Sequence, residues 1–464
     1  MGHQQRTAAC GASRREFLKC STIMAAGAAL AGPLALGRSV HAAGSDEIKV
    51  ALVGCGNRGT GAAAQALSTQ GPVKLWAMAD AFEDRLEASL QNLLKGQIEN
   101  YDREAGGGLG DKINVPPERR FVGLDAYRKA IESGVDLVVF AEPPGFRPEH
   151  FEYAVQVGKH VFMEKPLATD APGVRRILTA AAVAKKKNLK VGVGLQRHHQ
   201  VPYVETVKRI HDGAIGKLLF LRCYWNTGNP AKKPGDRTGM TEMQYQLRNW
   251  YFFTWLSGDH IVEQHIHNID VCNWVMDGHP VEANGMGGRQ VRTDKEYGHI
   301  FDHHFVEFTY ADGTKMFSQC RQIPGCWNNV TEHAHGTKGY ADIKNAMIRA
   351  EGQEEWRLRE PRGVGKAGKS KGWPNPYQVE HDVLFDAVRN NKPHNEVEYA
   401  AMTTMTAIFG RMATYSGQVI KWDDAFNSNV SLLPERIAWD APPKIVPDAD
   451  GRYPVAMPGI TKVL

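Results

Sequence analysis

Three glycines at fixed spacing follow a short apolar run close to residue 50. The run covers residues 50–53, and the motif positions after it are Gly54, Gly56, Asn57, Arg58 and Gly59. In a G-x-G-x-x-G turn, the first glycine allows a sharp bend, the second admits a pyrophosphate, and the third lets a helix pack closely on the strand. The helix that follows offers free N–H groups to phosphate oxygens. These residues therefore predict a dinucleotide-binding turn.

An acidic residue, Asp80, ends the next apolar run at residues 73–79. It stands about twenty residues after Gly59, where a carboxylate accepts a hydrogen bond from a ribose 2′-hydroxyl. The same carboxylate repels a 2′-phosphate, so the sequence predicts NAD, and Arg85 keeps NADP as the alternative. A glycine motif alone also fits an ordinary turn, but strand, motif, helix, strand and acid in this order indicate a cofactor site.

Two further predicted strands end in polar and proline residues. The strands at residues 135–141 and 160–163 are followed by E-P-P and E-K-P. Ligands of doubly wound sheets bind at these carboxyl ends. The further predicted cofactor contacts are therefore Glu142, Pro143, His150, Glu164 and Lys165. Lys165 is also a catalytic candidate, because an amine beside a nicotinamide can share in proton transfer; the alternative is a solvated lysine before a proline.

A second polar cluster is formed by Glu263, His267 and Asp270. If residues 261–275 form one helix, the spacings of four and three residues place all three side chains on one face. The imidazole can move a proton while the acids orient hydroxyl groups, so Glu263 and His267 are predicted to be catalytic, and Glu263 and Asp270 to bind substrate. The alternatives are a core histidine and a structural acid at a helix end.

Other side chains are weaker candidates for substrate binding. Arg197 and His198 follow the strand predicted at residues 190–195, and Trp250 lies in a polar and aromatic loop where a ring could stack on a sugar. Core packing explains Trp250 equally well. His260 and His265 could join the Glu263 cluster around a metal ion, but His265 points off the common helical face, so we predict no metal.

The elements that position these residues change character near residue 197. Strands and helices alternate over residues 44–197, which predicts a Rossmann domain, an α/β doubly wound parallel sheet. Residues 198–464 read as an α+β domain with a large, open, mostly antiparallel sheet. Residues 96–120 are polar and rich in glycine, and are predicted to be a loop.

The first 43 residues read as a targeting segment. Arg14 and Arg15 stand in S-R-R-E-F-L-K, followed by an apolar run at residues 21–36 and small residues at 40–43. This pattern resembles a bacterial twin-arginine signal, which implies export to the periplasm. The run is short and rich in glycine for a spanning helix, so no stable membrane anchor is predicted.

Composition restricts the class of partner and the use of cysteine. The chain has 464 residues, a net charge of +5 and no arginine-rich stripe, so we predict no nucleic-acid partner. Seven cysteines occur without any C-x-x-C pair. Five of them remain after residue 43, and pairing of Cys320 with Cys326 stays an open alternative.

The glycine motif, E-K-P at Glu164, and the Glu263, His267 and Asp270 cluster together resemble the Gfo/Idh/MocA oxidoreductases over about residues 47–430. The resemblance implies hydride transfer between a sugar or cyclitol carbon and a nicotinamide. It also implies a homodimer or homotetramer that assembles through the open sheet. The family carries D-x-x-x-H-x-x-D here, so Glu263 stands where an aspartate is usual.

The leading hypothesis is an exported NAD(P)-dependent oxidoreductase that acts on a sugar, glycoside or cyclitol and keeps its nucleotide tightly bound. The alternative is a redox-neutral glycoside hydrolase that resembles glycoside hydrolase family 109 and passes through a 3-keto intermediate. Those hydrolases lack E-K-P, so Lys165 favours the oxidoreductase. A third reading, a non-catalytic carbohydrate-binding protein, does not explain why Lys165, His267 and Asp80 are all present.

Overall fold

The computed structural model describes residues 46–98, 109–228, 235–360 and 372–464. Residues 47–464 form one compact unit. The twin-arginine-like segment at residues 1–43 and residues 99–108 of the predicted loop lie outside the described residues. The rest of that loop, predicted to be without regular structure, contains short 3₁₀ turns at Gly110–Lys112 and Pro117–Arg119.

The first sheet has six parallel strands in the order β3-β2-β1-β4-β5-β6. Its strands are β1 (Ile48–Val53), β2 (Val73–Asp80), β3 (Arg120–Val122), β4 (Leu137–Phe140), β5 (His160–Met163) and β6 (Val191–Val193). The order reverses between β1 and β4, which creates the crevice at which ligands of such sheets bind. The predicted doubly wound parallel sheet is confirmed.

Helices cover both faces of this sheet. They are α1 (Asn57–Leu67), α2 (Glu83–Lys95), α3 (Ala126–Glu132), α4 (Arg147–Gln156), α5 (Ala171–Lys186) and, from late in the chain, α11 (Pro376–Arg389). Strand β1 shows the two-sided burial: Ala51 and Val53 join the cluster on the side of α3, α4 and α5, while Val50 and Leu52 join the cluster beside α1 and α2. This burial on both faces explains the continuous apolar runs in the sequence.

The second sheet has nine strands in the order β14-β13-β12-β11-β7-β10-β9-β8-β15. Its strands are β7 (Leu218–Thr227), β8 (Glu282–Gly288), β9 (His303–Thr309), β10 (Lys315–Gln322), β11 (Asn329–Gly336), β12 (Gly339–Asp342), β13 (Met347–Ala350), β14 (Trp356–Arg357) and β15 (Ile420–Lys421). Only the β7–β10 pair is parallel, so the predicted mostly antiparallel sheet is confirmed. Burial alternates along β9 and β10, which leaves one face half-exposed.

The remaining helices belong to the part of the chain that builds the second sheet. They are α6 (Val201–His211), α7 (Glu242–Arg248), α8 (Thr254–Ser257), α9 (His260–Glu263), α10 (Ile266–Met276), α12 (Val397–Ser416) and α13 (Trp422–Asn427). Helix α10 packs on β7 and β11, and α12 packs on β8 and β9. The loop predicted around Trp250 is wrong in part, because α7, α8 and a 3₁₀ turn at Trp250–Phe252 occupy it.

Two findings concern membranes and cysteines. Among the described residues, no helix has both the length and the apolar character needed to cross a bilayer. The five cysteines of the described ranges, Cys55, Cys223, Cys272, Cys320 and Cys326, all carry free thiols. The pairing of Cys320 with Cys326 that the sequence left open is therefore absent from the structure.

Candidate functional site

The glycine turn joins β1 to α1 in close contact with the end of β4. A Cβ on Gly54 would lie 2.3 Å from the backbone nitrogen of Glu142, and one on Gly59 would lie 1.9 Å from the carbonyl oxygen of Gly54. A Cβ on Gly56 would meet no heavy atom within 4 Å. Gly54 and Gly59 therefore permit close packing. Gly56 leaves open space above the N-terminus of α1, as a bound pyrophosphate requires.

Asp80 stands at the carboxyl end of β2, beside this turn. Its carboxylate accepts hydrogen bonds from the backbone N–H groups of Cys55 (2.7 Å) and Phe82 (2.9 Å). Burial raises the pKa of Asp80, and the two N–H groups offset part of that rise. The hydrogen bonds fix the carboxylate at the mouth of the glycine turn, where an adenosine ribose lies in this fold.

Arg58 and Glu164 connect α1 to the end of β5. The Nε of Arg58 lies 2.8 Å from Oε1 of Glu164, and the guanidinium lies over the ring of Tyr377 at 5.0 Å. The hydroxyl of Tyr377 accepts a hydrogen bond from Nε2 of Gln196 at 3.2 Å. Two predicted cofactor residues thus form one ion pair, and α11 adds an aromatic side chain to the same edge. Asn57, the first residue of α1, is exposed.

Lys165 is held by Glu263 across the crevice. Its Nζ donates to the backbone oxygen of Glu263 at 2.7 Å and lies 3.2 Å from the side-chain Oε1. Each of the two side chains keeps 14% of its surface exposed. Burial raises the pKa of Glu263, and the positive charge of Lys165 offsets part of that rise. The second carboxylate oxygen of Glu263 has no hydrogen-bond partner within the described ranges, so it remains available to a hydroxyl group.

His267 lies near the same ammonium group as a buried, neutral imidazole. Burial, together with the charges of Lys165 and Arg197, lowers the pKa of His267 well below its usual value. The ring stacks on Trp225 at 5.9 Å, and its Nδ1 lacks a hydrogen-bond partner in the part of the chain that is described. A neutral imidazole with an unpaired nitrogen can accept or donate a proton.

The helical spacing used to group Glu263 with His267 is wrong. Helix α9 ends at Glu263 and α10 begins at Ile266, so one continuous helix does not carry both residues. The break leaves the carbonyl of Glu263 free to accept the hydrogen bond from Lys165, because a continuous helix would use that carbonyl internally. Glu263 nonetheless contacts Lys165, and the charge of Lys165 acts on His267, through tertiary structure instead of helical periodicity.

Asp270 and His198 form a pair. The Nε2 of His198 lies 2.8 Å from one Asp270 oxygen, and the hydroxyl of Thr403 donates to the other at 3.1 Å. Burial lowers the pKa of His198, but the Asp270 carboxylate outweighs it and the net shift is upward. Both Asp270 oxygens therefore already have protein partners, an arrangement suited to positioning His198.

Arg197 is bound inside the protein. Its guanidinium donates to the buried carboxylate of Glu332, which also accepts hydrogen bonds from Asn268 and from the hydroxyl of Tyr203 (3.1 Å). Burial raises the pKa of Glu332, and Arg197 offsets part of that rise. The sequence reasoning missed Glu332, although an acid in strand β11 at the same parity as the buried Ala334 signals a charge that needs a partner.

Trp250 lies outside the Lys165 cluster. It is half-buried in an aromatic cluster, 5.9 Å from Tyr251 in a T-shaped arrangement. Trp255 in the same cluster is fully buried, and its indole N–H donates to Gln246. Trp250 therefore packs against other aromatic rings, as its core-packing alternative expected, and presents only part of its ring to solvent.

His150 and Glu142 meet at the beginning of α4. The Nδ1 of His150 lies 3.2 Å from Oε1 of Glu142, and the ring stacks on Tyr127 at 3.7 Å. Pro143 lies in the loop after β4, where its carbonyl accepts from the N–H of Phe146 at 3.1 Å. A cavity of about 570 Å³ reaches His150, but its lining includes none of Lys165, Glu263 and His267.

Arg147 is the other residue that sequence reasoning missed. This buried guanidinium donates to the backbone oxygens of Glu142 and Pro166 and thereby ties together the two loops that follow β4 and β5. The Lys165–Pro166 peptide between them is cis. No local pattern distinguishes Arg147 from an ordinary first residue of a helix, because its partners are backbone atoms of other segments.

A Rossmann sheet with this turn and a polar crevice beside it defines a dinucleotide-binding fold. Residues 48–195 match the model described as "Oxidoreductase family, NAD-binding Rossmann fold", and residues 203–342 match the "GFO/IDH/MocA C-terminal domain". The two models of this one family together span more than half of the chain. The protein belongs to the Gfo/Idh/MocA family.

Curated relatives of known activity are similar to parts of the chain. Inositol 2-dehydrogenase of Serratia proteamaculans is 30% identical over 201 residues, which is 42% of this chain and 52% of that protein. Inositol 2-dehydrogenase of Rhizobium meliloti is 25% identical over 301 residues, which is 64% of this chain and 76% of that protein. The chain spans about half the length of most of the curated relatives it matches.

Solved structures share the fold at low identity. A levoglucosan dehydrogenase in complex with NADH and levoglucosan has a TM-score of 0.60 at 16% identity, covering 81% of this chain and 99% of that chain. The aldose-aldose oxidoreductase of Caulobacter crescentus has a TM-score of 0.58 at 19% identity, with the same coverage. These similarities establish the architecture.

Proposed function

We propose that the protein is an NAD-dependent dehydrogenase that oxidises a secondary alcohol of a sugar, glycoside or cyclitol. The observation that carries the proposal is Lys165, held 2.7 Å from the Glu263 carbonyl at the strand end where the nicotinamide lies in this fold. Gly56, Asp80 and the N-terminus of α1 would hold the nucleotide. Bound NAD would supply a hydride acceptor.

The residues around Lys165 can manage the hydroxyl proton. The neutral ring of His267 can take it, while the ammonium group of Lys165 stabilises the oxygen as its charge develops. The unpartnered oxygen of Glu263 can accept a hydrogen bond from a neighbouring hydroxyl of the substrate. We keep His198, which Asp270 holds in place, as a proposed substrate-binding residue. Several hydroxyl-binding groups around one proton acceptor suit a polyol ring.

Export and a captive nucleotide belong to the same proposal. The twin-arginine pattern supports export of a folded protein, and free NAD is scarce outside the cytoplasm. A protein that leaves with its nucleotide must recycle it, either by reducing a second substrate or by a redox-neutral glycoside cleavage. We keep the hydrolase as the alternative. We also propose that copies associate through the half-exposed face of the second sheet.

Product analysis tests the proposal. The purified protein is incubated with cyclitols, free sugars and aryl glycosides, with and without added NAD, and products are identified by mass spectrometry. A keto-sugar or keto-cyclitol is expected, together with reduced nicotinamide. Its formation should fall by about 10²–10⁴ in Lys165→Met, the range typical of proton-transfer groups. Released aglycone without net keto product would replace the dehydrogenase with the hydrolase. Unchanged turnover in Lys165→Met would refute the role of Lys165.

A further inference from the structure

A second cluster of side chains that can bind metal lies where the start of α9 meets β9. It is formed by Asp259, His260 and His304. One ligand atom from each residue, a carboxylate oxygen or a ring nitrogen, lies within 4.8 Å of the other two. Oδ1 of Asp259 is 3.4 Å from Nε2 of His304 and 3.9 Å from Nε2 of His260. All three side chains are fully buried. The sequence analysis weighed His260 as a metal ligand together with the Glu263 cluster, and it did not group His260 with Asp259 and His304.

One ring nitrogen of His304, Nε2, faces this carboxylate, and the other has a hydroxyl partner. Its Nδ1 lies 2.9 Å from the hydroxyl of Thr414, and that hydroxyl can donate to the carbonyls of Gly410 or Arg411 in its own helix. In the tautomer in which Nδ1–H donates to this hydroxyl, Nε2 carries the lone pair that faces Asp259. A cation can bridge such a lone pair and a facing carboxylate, and an Nδ1–H fixed by an oxygen is typical of metal-binding histidines.

His260 provides a second, independent indication. Neither ring nitrogen has a hydrogen-bond partner among the described residues, although the side chain is entirely buried. Buried polar atoms without partners are rare and call for a ligand or a role.

The backbone of Asp259 is the third indication. Its φ of 80° and ψ of 162° lie in a region that is nearly restricted to glycine. The strained residue is over-determined by its contacts: its other oxygen accepts from the hydroxyl of Tyr415 at 2.6 Å and from the N–H of Phe301 at 3.0 Å. Such strain is typical of ligand clamps, where the geometry must be kept.

We propose that Asp259, His260 and His304 bind a divalent transition-metal ion of the Zn²⁺ class. Ligand bonds of about 2.1 Å at tetrahedral angles place donor atoms about 3.4 Å apart. The Asp259–His304 distance already fits, the Asp259–His260 distance must shorten by about 0.5 Å, and no pair of ligand atoms must shorten by more than about 1.4 Å. The ion would fasten the start of α9 to β9, and α9 ends at the Glu263 that holds Lys165. Its role is to position the site. The substrate does not contact it.

Metal content tests the proposal directly. The full-length protein is purified without a histidine tag, incubated with Zn²⁺, freed of excess by gel filtration and assayed by inductively coupled plasma mass spectrometry. We expect about one ion per chain in the wild type and at most about a tenth of that in His260→Gln and His304→Gln. His303→Gln is the matched control. His303 is the chain neighbour of His304, but its side chain is 38% exposed and hydrogen-bonds to Asp302 instead.

A measurement on the unaltered protein guards against variants that fail to fold. Cobalt replaces zinc in such sites and gives visible absorption bands that report nitrogen and oxygen ligands, so the wild type loaded with Co²⁺ should show them. A chelator should also lower the melting temperature of the wild type. Absence of metal in the wild type, with neither bands nor a chelator effect, would overturn the proposal and leave a proton shared between Asp259 and His304. A metal content equal to that of the wild type in both His260→Gln and His304→Gln would overturn the proposal as well.

Discussion

The pair formed by Lys165 and Glu263 can be measured without knowing the substrate. Replacing Lys165 by Met leaves a partly buried carboxylate without its cation, and replacing Glu263 by Gln leaves the cation without its carboxylate. At 3.2 Å, two unit charges interact by about 5 kcal/mol with an effective dielectric constant of about 20 and by about 1 kcal/mol in water. Since each side chain keeps 14% exposure, we expect a coupling energy of about 1–3 kcal/mol.

A double-mutant cycle provides the assay. Lys165→Met, Glu263→Gln, the double variant and the wild type are stripped of nucleotide and unfolded in denaturant, and the coupling energy is the part of the double-variant effect that the single changes do not explain. The control cycle uses Lys185 and Glu398, which lie 2.8 Å apart with side chains 51% and 72% exposed, and should give about 0.5 kcal/mol or less. Equal coupling energies in the two cycles would refute the reasoning that burial strengthens the Lys165 pair.

Three further predictions concern the nucleotide turn and the pH dependence of stability. Asp80→Asn should weaken NAD binding by about 1.5–3 kcal/mol and narrow the preference over NADP, measured by calorimetric titration with both nucleotides; an unchanged preference would count against the ribose contact. Gly56→Ala should unfold like the wild type yet lose bound nucleotide. In Gly59→Ala the new Cβ would lie 1.9 Å from the Gly54 oxygen, so this variant should lose about 1–3 kcal/mol of stability in denaturant unfolding. Because burial raises the pKa of Glu263 above its ordinary 4.5, its contribution to stability is full below that pH and is lost as pH rises through the folded-state pKa. The free energy of unfolding, measured in denaturant across this pH range, should fall less with rising pH in Glu263→Gln than in the wild type. Equal pH dependence of the free energy of unfolding in the two proteins would contradict the raised pKa.

The first half of the fold could be predicted because its signals are local. A strand buried on both faces is a continuous apolar run, and the glycine turn needs its residues at fixed spacing, so β1, α1 and β2 follow from residues 48–80. The second sheet was predicted to be large and mostly antiparallel, but its strands β12 to β15 were not predicted individually. Strands of two to four residues carry too little pattern to distinguish them from loops.

The site could be predicted in its residues better than in its geometry. Glu263 and His267 were grouped by a helical period that the chain does not follow, since the helix breaks after Glu263. Glu332 and Arg147 were missed because the partners of each come from distant segments, and a single sequence does not record such pairings. The roles predicted for the site residues stay predictions that the variants above test.

The most direct test of the central claim is to denature the purified protein and identify the released nucleotide by mass spectrometry. Our account predicts about one NAD or NADH per chain in the wild type and none in Gly56→Ala. A wild-type protein that releases no nucleotide, and that binds neither NAD(H) nor NADP(H) when these are added, would contradict the assignment of the glycine turn and Asp80 as the cofactor site.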